Sequence, residues 1–397
     1  MKFYRGSARA ARDYVEAERG RADDYYLAEG TSFAQRYSAT ADGQVRAMPQ
    51  MDGDAYEAWV SGVDPETGEL RGRVRQDEQA LRFAEVVVNG PKSWSIAAEL
   101  HPDVAAAYEA AQNRAATEIV RWIAQNATTR VGPRGAQVAT PVERLEAVSV
   151  RHYTSRAGDP HRHLHLQINA RVQAAGKWRG IDSVAVRDSI GAVQGIGHAT
   201  VMADPAFRQA LAAHGFTLDP ETGEVRQLAG YVEAFSKRAE QISGQVEGYE
   251  AEWRAANPDR EPGPAVRRSW DARAWAEQRP GKAHLEPANV AHDRWLDELA
   301  DLGYQPLTRP AAIGQQPVGQ FDRDAAAVEV LARLTATRSA WNQHDVRGEA
   351  ELLLTRAGVV VEVEVRRELA EDITARANAA SVPFGFVTPS TPVHIRA

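Results

Sequence analysis

The sequence predicts an α/β fold in which a β-sheet packs against long helices, and three segments carry this prediction. Residues 163–172 alternate between polar and apolar side chains, which is the period of a strand with one buried face. Residues 83–89 alternate in the same way and stop at Gly90 and Pro91. Residues 102–125 place apolar side chains close to the 3.6-residue period of an amphipathic helix. We expect that helix to pack on the sheet.

The remaining elements follow from local composition. Residues 7–26 are rich in Ala, Arg and Glu and contain no proline, which favours a helix. Residues 147–153 predict a strand that pairs with 163–172, and a turn at Ala175 and Gly176 leads into residues 178–181. Segments 64–69 and 219–224 are nearly identical, and their residues are turn formers, so they predict two tight turns. Six such residues can recur through turn chemistry alone, so the repeat gives little support to an internal duplication.

Length and composition set limits on the class of protein. The chain has 397 residues, more than the roughly 250 to 300 of a usual single core, so we expect a large domain and a smaller one. Residues 257–263 and 279–287 are rich in Pro, Gly and charge and mark linkers around a helical appendage. The sequence has no Cys, so we expect any metal to be held by His and carboxylates.

The sequence predicts a cytoplasmic protein. It has no apolar signal region at its start and no apolar stretch long enough to span a membrane.

Histidines and local charge point to a site on the predicted strand pair. His161, His163 and His165 alternate, so they share one strand face, where neutral imidazoles could hold a metal ion. A solvated, histidine-rich strand is the alternative. The net charge of −7 argues against bulk binding to nucleic acid, but residues 130–187 contain ten basic and four acidic side chains. Unless this excess is a chance fluctuation, that face is suited to a polyanion.

Ordered motifs carry a resemblance to a known family. They are the ADDYY segment at 22–26, GPKSWS at 90–95, HYTSR at 152–156, Asp159-Pro160 and HLH at 163–165. Over roughly residues 1–300 the chain resembles the relaxase domain of MobF-class conjugative relaxases, in the HUH endonuclease superfamily. The resemblance implies an HUH relaxase fold with a central antiparallel sheet flanked by helices, and we expect those helices on the face opposite the metal.

The resemblance also implies a division into domains. Residues 1–300 would form the relaxase domain, with a helical appendage at about 230–300. Residues 301–397 resemble the linker and the start of a helicase-like region, which is incomplete here. The sequence contains no Gly-x-x-x-x-Gly-Lys-Ser/Thr phosphate loop, so we expect the helicase itself to be absent from it.

The implied reaction is site- and strand-specific nicking and rejoining of DNA at a plasmid origin of transfer during conjugation. A tyrosine attacks the phosphodiester and leaves a free 3′-hydroxyl and a 5′-phosphotyrosine bond. The implied metal ligands are His152, His163 and His165, which would hold a divalent ion, Mn or Mg. The eleven-residue spacing between the first two ligands is that of the family, and His161 falls outside the set.

The nucleophile is where the sequence departs from the family. The best-known members carry two pairs of adjacent tyrosines, whereas here Tyr14-Val15 represents the first pair and Tyr25-Tyr26 is intact. We expect Tyr14 to start the reaction and Tyr25 or Tyr26 to make the second cleavage. At least one of the three would then be an ordinary aromatic residue of a helix. Glu85, where the family has Asp, is expected to accept the phenol proton or to orient a ligand histidine; a structural carboxylate paired with Arg is the alternative.

Single-stranded DNA needs phosphate contacts and stacking side chains. The predicted DNA contacts are Lys92, Arg156, Lys177, Trp178 and Arg179; Trp94 is open between a DNA contact and a core residue. The partners that the resemblance implies are hairpin-flanked origin DNA, the type IV secretion coupling protein and accessory relaxosome proteins. It places the protein in the donor cytoplasm, from which it is transferred with the DNA to the recipient.

Other classes stay open on the sequence alone. A rolling-circle replication initiator uses the same tyrosine and histidine chemistry, but it places the tyrosine after the histidines. A metal-dependent hydrolase of small molecules would require later carboxylate or lysine ligands and no tyrosines near the N-terminus. A DNA-binding module without catalysis remains if Tyr14 is misassigned.

Overall fold

The structure is a computed structural model that describes residues 1–22, 34–73, 77, 79–155, 157–277 and 288–381. The strands are β1 (Lys2–Arg5), β2 (Gln35–Thr40), β3 (Val45–Ala47), β4 (Leu81–Val88), β5 (Thr128–Val131), β6 (Val138–Pro141), β7 (Arg144–Thr154), β8 (Pro160–Asn169), β9 (Arg171–Ala174) and β10 (Lys177–Gly180). The helices are α1 (Ala8–Ala22), α2 (Gly53–Ser61), α3 (Lys92–Leu100), α4 (Pro102–Asn126), α5 (Ser183–Asp188), α6 (Ile190–Met202), α7 (Pro205–Ala213), α8 (Lys237–Ala256), α9 (Pro264–Glu277), α10 (Ala288–Asp301), α11 (Arg323–Thr337), α12 (Gln343–Arg356) and α13 (Val363–Ala380). Short 3₁₀ helices lie at Arg226–Tyr231 and Val318–Gln320.

The main sheet is antiparallel, with the strand order β1-β4-β8-β7-β2-β3. The hairpin of β9 and β10 joins it through the start of β7, and β5 and β6 form a separate pair. The predicted α/β class with an antiparallel sheet is therefore confirmed. The longest strands, β7 and β8, lie side by side at its centre.

Most locally predicted elements are present. The strand expected at 83–89 is β4, that at 147–153 is β7, and the helix expected at 102–125 is α4. The strand expected at 163–172 is instead two strands, because the chain leaves β4 at Ala170 and β9 pairs with β10. Both predicted turns are present, and in each the first Asp N–H donates to the last Glu carbonyl at 2.8 Å.

Helices cover both faces of the sheet. On one face, Leu164, Leu166 and Ile168 pack with apolar residues of α4 and α6. On the other face, Val148 and Val150 pack with residues of α1 and α2. The helices expected on the face opposite the histidines are therefore present, and α1 and α2 cover the histidine-bearing face as well, which was not expected. Apolar β7 side chains point to both faces, so each face has to be covered.

The last three described helices, α11 to α13, have a small core of their own and pack on α6. The backbones of α12 and α6 approach each other so closely that a Cβ on Gly348 would collide with the carbonyl oxygen of Gly191. One buried hydrogen bond crosses to α6: Arg366 of α13, which pairs with Glu351 of α12, donates to Thr200 Oγ1 at 2.8 Å. Since α6 is apolar around most of its circumference, burial on both sides is what its sequence requires.

Helices α8 and α9 pack on each other through a small apolar cluster that includes Tyr249 and Trp270. Helix α10 returns to the main core, where Trp295 and Leu299 are buried. Among the described residues, no helix is long and apolar enough to cross a membrane.

Candidate metal centre and DNA-binding face

Three histidines converge on one face of the central strands. The register of β7 and β8 places His152 directly opposite His163, and His165 follows on the same face. One ring nitrogen from each of the three lies within 4.8 Å of the others. Three imidazoles at this spacing can turn toward one divalent ion. The side chains for this site therefore come from two adjacent strands at the centre of the sheet.

Contacts at the Nδ1 atoms orient two of these ligands. Nδ1 of His163 lies 2.7 Å from the carbonyl oxygen of His161, which can only accept, so Nδ1 carries the proton. Nδ1 of His165 lies 3.3 Å from Oε1 of Glu85. In His163 the lone pair is thereby left on Nε2, the arrangement found in histidines that ligate metals, and the Glu85 carboxylate lies on the corresponding side of the His165 ring.

The surroundings keep the imidazoles of His163 and His161 neutral. Burial lowers the pKa of His163 well below its usual value, and the neighbouring histidines add to this effect. Burial, with the charge of Lys92, also lowers the pKa of His161 to about 3. The His161 ring stacks on His163 with centroids 4.5 Å apart, but it does not belong to the converging group. Neutral imidazole is the ligating form, so the donor set fits a divalent transition ion.

Glu85 lies in a chain of hydrogen bonds behind the metal face. Its Oε2 accepts from Nε2 of Gln167 at 3.2 Å, and the hydroxyl of buried Tyr56 donates to Gln167 Oε1 at 2.7 Å. Burial raises the pKa of Glu85, but the hydrogen bonds from His165 and Gln167 outweigh it and hold the pKa below its usual value. The ionised carboxylate is therefore placed to orient His165.

Replacing Glu85 with Gln is expected to weaken metal binding about tenfold, because it removes the charge that holds His165 while keeping its shape. The measurement is titration with Co²⁺, followed in the visible spectrum. Glu85→Asp keeps the carboxylate and is expected to retain more of the affinity. Equal affinity in wild type and Glu85→Gln would show that Glu85 does not act on the metal ligand.

The structure describes the predicted tyrosines only in part. Tyr14 belongs to α1, next to Val15, and Val15 is buried against the same β7 face that carries His152. This helix therefore lies on the metal-bearing face of the sheet. Tyr25, Tyr26 and the predicted DNA contact Arg156 lie outside the described residues.

The hairpin of β9 and β10 forms one wall of a basic cleft of about 440 Å³. Trp178 packs against two guanidinium groups, those of Arg71 at 4.9 Å and Arg144 at 5.3 Å from its ring centroid. The cationic and aromatic side chains that line the cleft are Arg73, Arg130, Arg171, Trp178 and Arg179. The structure thus brings Trp178 and Arg179 together and adds arginines that sequence reasoning missed. The local excess of basic residues was the signal for Arg130 and Arg171, whereas Arg73 is distant in the chain.

A buried ionic network supports this wall. The carboxylate of Glu146 accepts from Arg71 at 2.6 and 2.8 Å and from Arg36 at 3.0 and 3.1 Å. Nε1 of Trp59 donates to the same group at 3.0 Å. Since Glu146 and Arg71 are each about 1% exposed, the arginine under Trp178 is fixed in place.

Two other candidates lie elsewhere. The ammonium of Lys92 donates to the carbonyl oxygen of Pro160 at 3.1 Å, and burial lowers its pKa. Trp94 is fully buried in the main core, where Nε1 donates to Gly223 O at 2.6 Å. Both follow from α3, a helix that turns these side chains inward. Trp94 is therefore a core residue, and Lys92 is not part of the basic cleft.

Comparisons with known proteins agree with this architecture. The family model described as TrwC relaxase matches residues 8–302. Two solved structures of the conjugative relaxase TrwC with oriT DNA, one copper-bound and one metal-bound, each have a TM-score of 0.54 and 22% identity and cover 77% of this chain and 99% of theirs. TrwC with a 27-mer DNA that comprises the recognition hairpin and the cleavage site has a TM-score of 0.53 and 20% identity over the same shares. No curated protein sequence matches the chain. Because the family model matches most of its length and its fold is similar to that of the solved structures, the chain belongs to the TrwC relaxase family.

Proposed function

We propose that this protein is a metal-dependent DNA relaxase that nicks and rejoins one strand at a plasmid origin of transfer. The observation that carries the proposal is the convergence of His152, His163 and His165 on the sheet face where α1, the helix of Tyr14, packs. Membership of the TrwC relaxase family supports it, and so do the oriT DNA complexes of structurally similar proteins. Nicking would form a 5′-phosphotyrosine intermediate, and this bond conserves the phosphodiester energy for the rejoining step.

The chain's own residues account for binding and orientation. The three histidines would hold a divalent ion, which when bound polarises the scissile phosphate and stabilises the charge of the transition state. The hydrogen bond to the His161 carbonyl fixes the ring of His163, and the Glu85 carboxylate, 3.3 Å from Nδ1 of His165, orients the ring of His165. A phenol has a pKa near 10 and attacks slowly at neutral pH, so positioning of Tyr14 against the phosphate is the main contribution of α1.

Finer assignments belong to the same proposal. Tyr14 starts the reaction and Tyr25 or Tyr26 makes the second cleavage. Three imidazole ligands suit Mn²⁺ better than Mg²⁺, which prefers oxygen ligands. Residues 1–300 act as the relaxase, with α8 to α10 as its appendage, and residues 301–397 lead toward a helicase-like region. The protein works in the donor cytoplasm with accessory relaxosome proteins, reaches the type IV coupling protein and enters the recipient with the DNA.

The test is incubation with a labelled single-stranded oligonucleotide that spans the plasmid's own transfer origin, with Mn²⁺ or with EDTA. A covalent protein–DNA adduct that forms only with metal is the expected result. Binding without an adduct, on an oligonucleotide shown to contain the nick site, would instead identify a binding module.

The basic cleft is proposed to hold the hairpin-flanked DNA through Trp178, Arg179 and Arg171, with Lys177 beside them on the hairpin. Replacing Arg171 and Arg179 together with Gln is expected to weaken oligonucleotide binding and to reduce the slope of log affinity against log salt by about two. The double variant Arg267→Gln and Arg268→Gln, at exposed positions on α9, removes the same two charges away from the cleft and is expected to have little effect. An unchanged salt slope in the double variant would place the DNA elsewhere.

A further inference from the structure

The turn between β7 and β8, described at Ser155 and at residues 157–159, determines which residue stands opposite His152. Ser155 N donates to Asp159 O at 2.9 Å, and Gly158 N donates to Ser155 O at 3.0 Å. The turn closes the pairing of Thr154 with Pro160, and a register shift between Thr154 and His152 then brings His152 opposite His163. Because side chains alternate along a strand, a slip of one residue would turn a ligand to the other face.

Helix α10 holds this turn from outside. Nη2 of Arg294 and Nε1 of Trp295 both donate to the carbonyl oxygen of Gly158, each at 3.0 Å. One turn further along α10, Glu298 pairs with Lys237 at 3.0 Å, and the same ammonium lies 3.8 Å from Asp159. Helix α10 therefore contacts the Gly158 carbonyl of the turn directly, and it reaches the Asp159 carboxylate only through Lys237 of α8.

Helix α3 holds the first residues of β8, which follow the turn. Lys92 donates to the Pro160 carbonyl at 3.1 Å, and Ser95 Oγ accepts from Arg162 N at 2.9 Å. The two helices are themselves joined, since His292 Nδ1 of α10 lies 3.1 Å from Glu99 of α3. Trp295 is 1% exposed in the main core, so α10 is anchored where it meets the turn.

We propose that α10 is a positioning element of the metal centre, with Trp295 and Arg294 as positioning residues that act through the Gly158 carbonyl. The proposal rests on the proposed function, because it takes His152, His163 and His165 as the metal ligands. Neither residue belongs to the converging group of His152, His163 and His165. Their two hydrogen bonds keep the turn, and with it the spacing of His152 and His163, in the arrangement that suits one ion. Loss of either bond is therefore expected to lower metal affinity without removing a ligand.

The experiment measures Co²⁺ affinity and the visible spectrum of the bound ion in the full chain. Trp295→Phe removes the Nε1 donor and keeps an aromatic ring, and Arg294→Met removes the guanidinium from a half-buried position. Each is expected to weaken Co²⁺ binding about fivefold, the effect of one ordinary hydrogen bond, and to change the spectrum. Arg294→Met leaves the core intact, so it keeps the test valid if Trp295→Phe disturbs folding. Matched controls are Trp253→Phe in the cluster of α8 and α9 and Arg268→Met on the surface of α9.

The outcomes separate this inference from the proposed function. If the wild-type protein binds Co²⁺ and the His163→Ala variant does not, the proposed metal site exists. Unchanged affinity and spectrum in Arg294→Met and in Trp295→Phe would then overturn the role of α10. Wild type whose Co²⁺ binding does not depend on His163 would overturn the proposed metal site and this inference with it. Weakened binding and an altered spectrum in both variants, with both controls like wild type, would establish it.

Discussion

Replacing Tyr14 with Phe is expected to abolish formation of the covalent adduct with the origin oligonucleotide. The change removes only the hydroxyl oxygen that would become bonded to phosphorus, so the proposed first nucleophile is lost. Metal binding is expected to be unaffected, because Tyr14 is not among the proposed ligands. Binding of the oligonucleotide is expected to change by less than about threefold, since the basic cleft is unaltered. The measurement is adduct yield on a denaturing gel, with Co²⁺ and oligonucleotide titrations on the same preparation.

Tyr25→Phe and Tyr26→Phe are the matched controls for Tyr14. We expect both to form the first adduct and at least one of them to lose the second cleavage, which a second labelled oligonucleotide reports. An adduct that persists in Tyr14→Phe and disappears in Tyr25→Phe or Tyr26→Phe would reassign the first nucleophile. The conclusion about the reaction would then stand, and only the role of Tyr14 would be overturned.

Replacing His163 with Ala is expected to remove most metal affinity and to reduce the nicking rate by about a thousandfold or more. His163 lies opposite His152 and two residues from His165, so it occupies the centre of the ligand set. Two remaining imidazoles bind an ion weakly, and without the ion the phosphate loses the charge that stabilises the transition state. The measurements are Co²⁺ titration and single-turnover nicking at saturating oligonucleotide.

His161→Ala is the control for His163, since it removes a neighbouring imidazole that stacks on His163 but lies outside the converging group. We expect it to bind Co²⁺ within about threefold of wild type. Equal loss of metal affinity in both variants would extend the ligand set to His161. Unchanged nicking by His163→Ala would exclude the proposed metal centre.

The parts of the fold that depend on local chemistry could be predicted from the sequence. The stop at Gly90 and Pro91 and the Pro102 start of α4 are encoded within a few residues, and so are the two tight turns. The break at Ala170 could not be predicted, because β9 pairs with β10 rather than continuing beside β4, and this is settled by tertiary pairing. The covering of both sheet faces was visible in part, since Ala147 and Val148 are both apolar and point to opposite faces of β7.

The residues of the candidate site were also predictable only where their position depends on local sequence. The alternation of His163 and His165 puts both on one face whatever the rest of the fold does. The place of His152 depends on a strand register, and that of Arg73 depends on a loop far away in the chain. Lys92 was expected at the DNA, and Trp94 was open between a DNA contact and a core residue, because side-chain type alone does not determine which way a residue faces. Once α3 forms, Trp94 is buried beside Tyr108 and Phe207, and its type of side chain no longer indicates its role.

The close contact of α6 with α12 bears on where this protein can be shortened. A fragment that ended near residue 302, where the family match ends, would expose to water the Gly191 and Gly195 surface of α6 on which Gly348 lies. It would also leave buried Glu118 without the ion pair that it makes with Arg367. Because that surface is apolar and flat, such a fragment would tend to self-associate. The smallest fragment that keeps α6 covered therefore extends through α13.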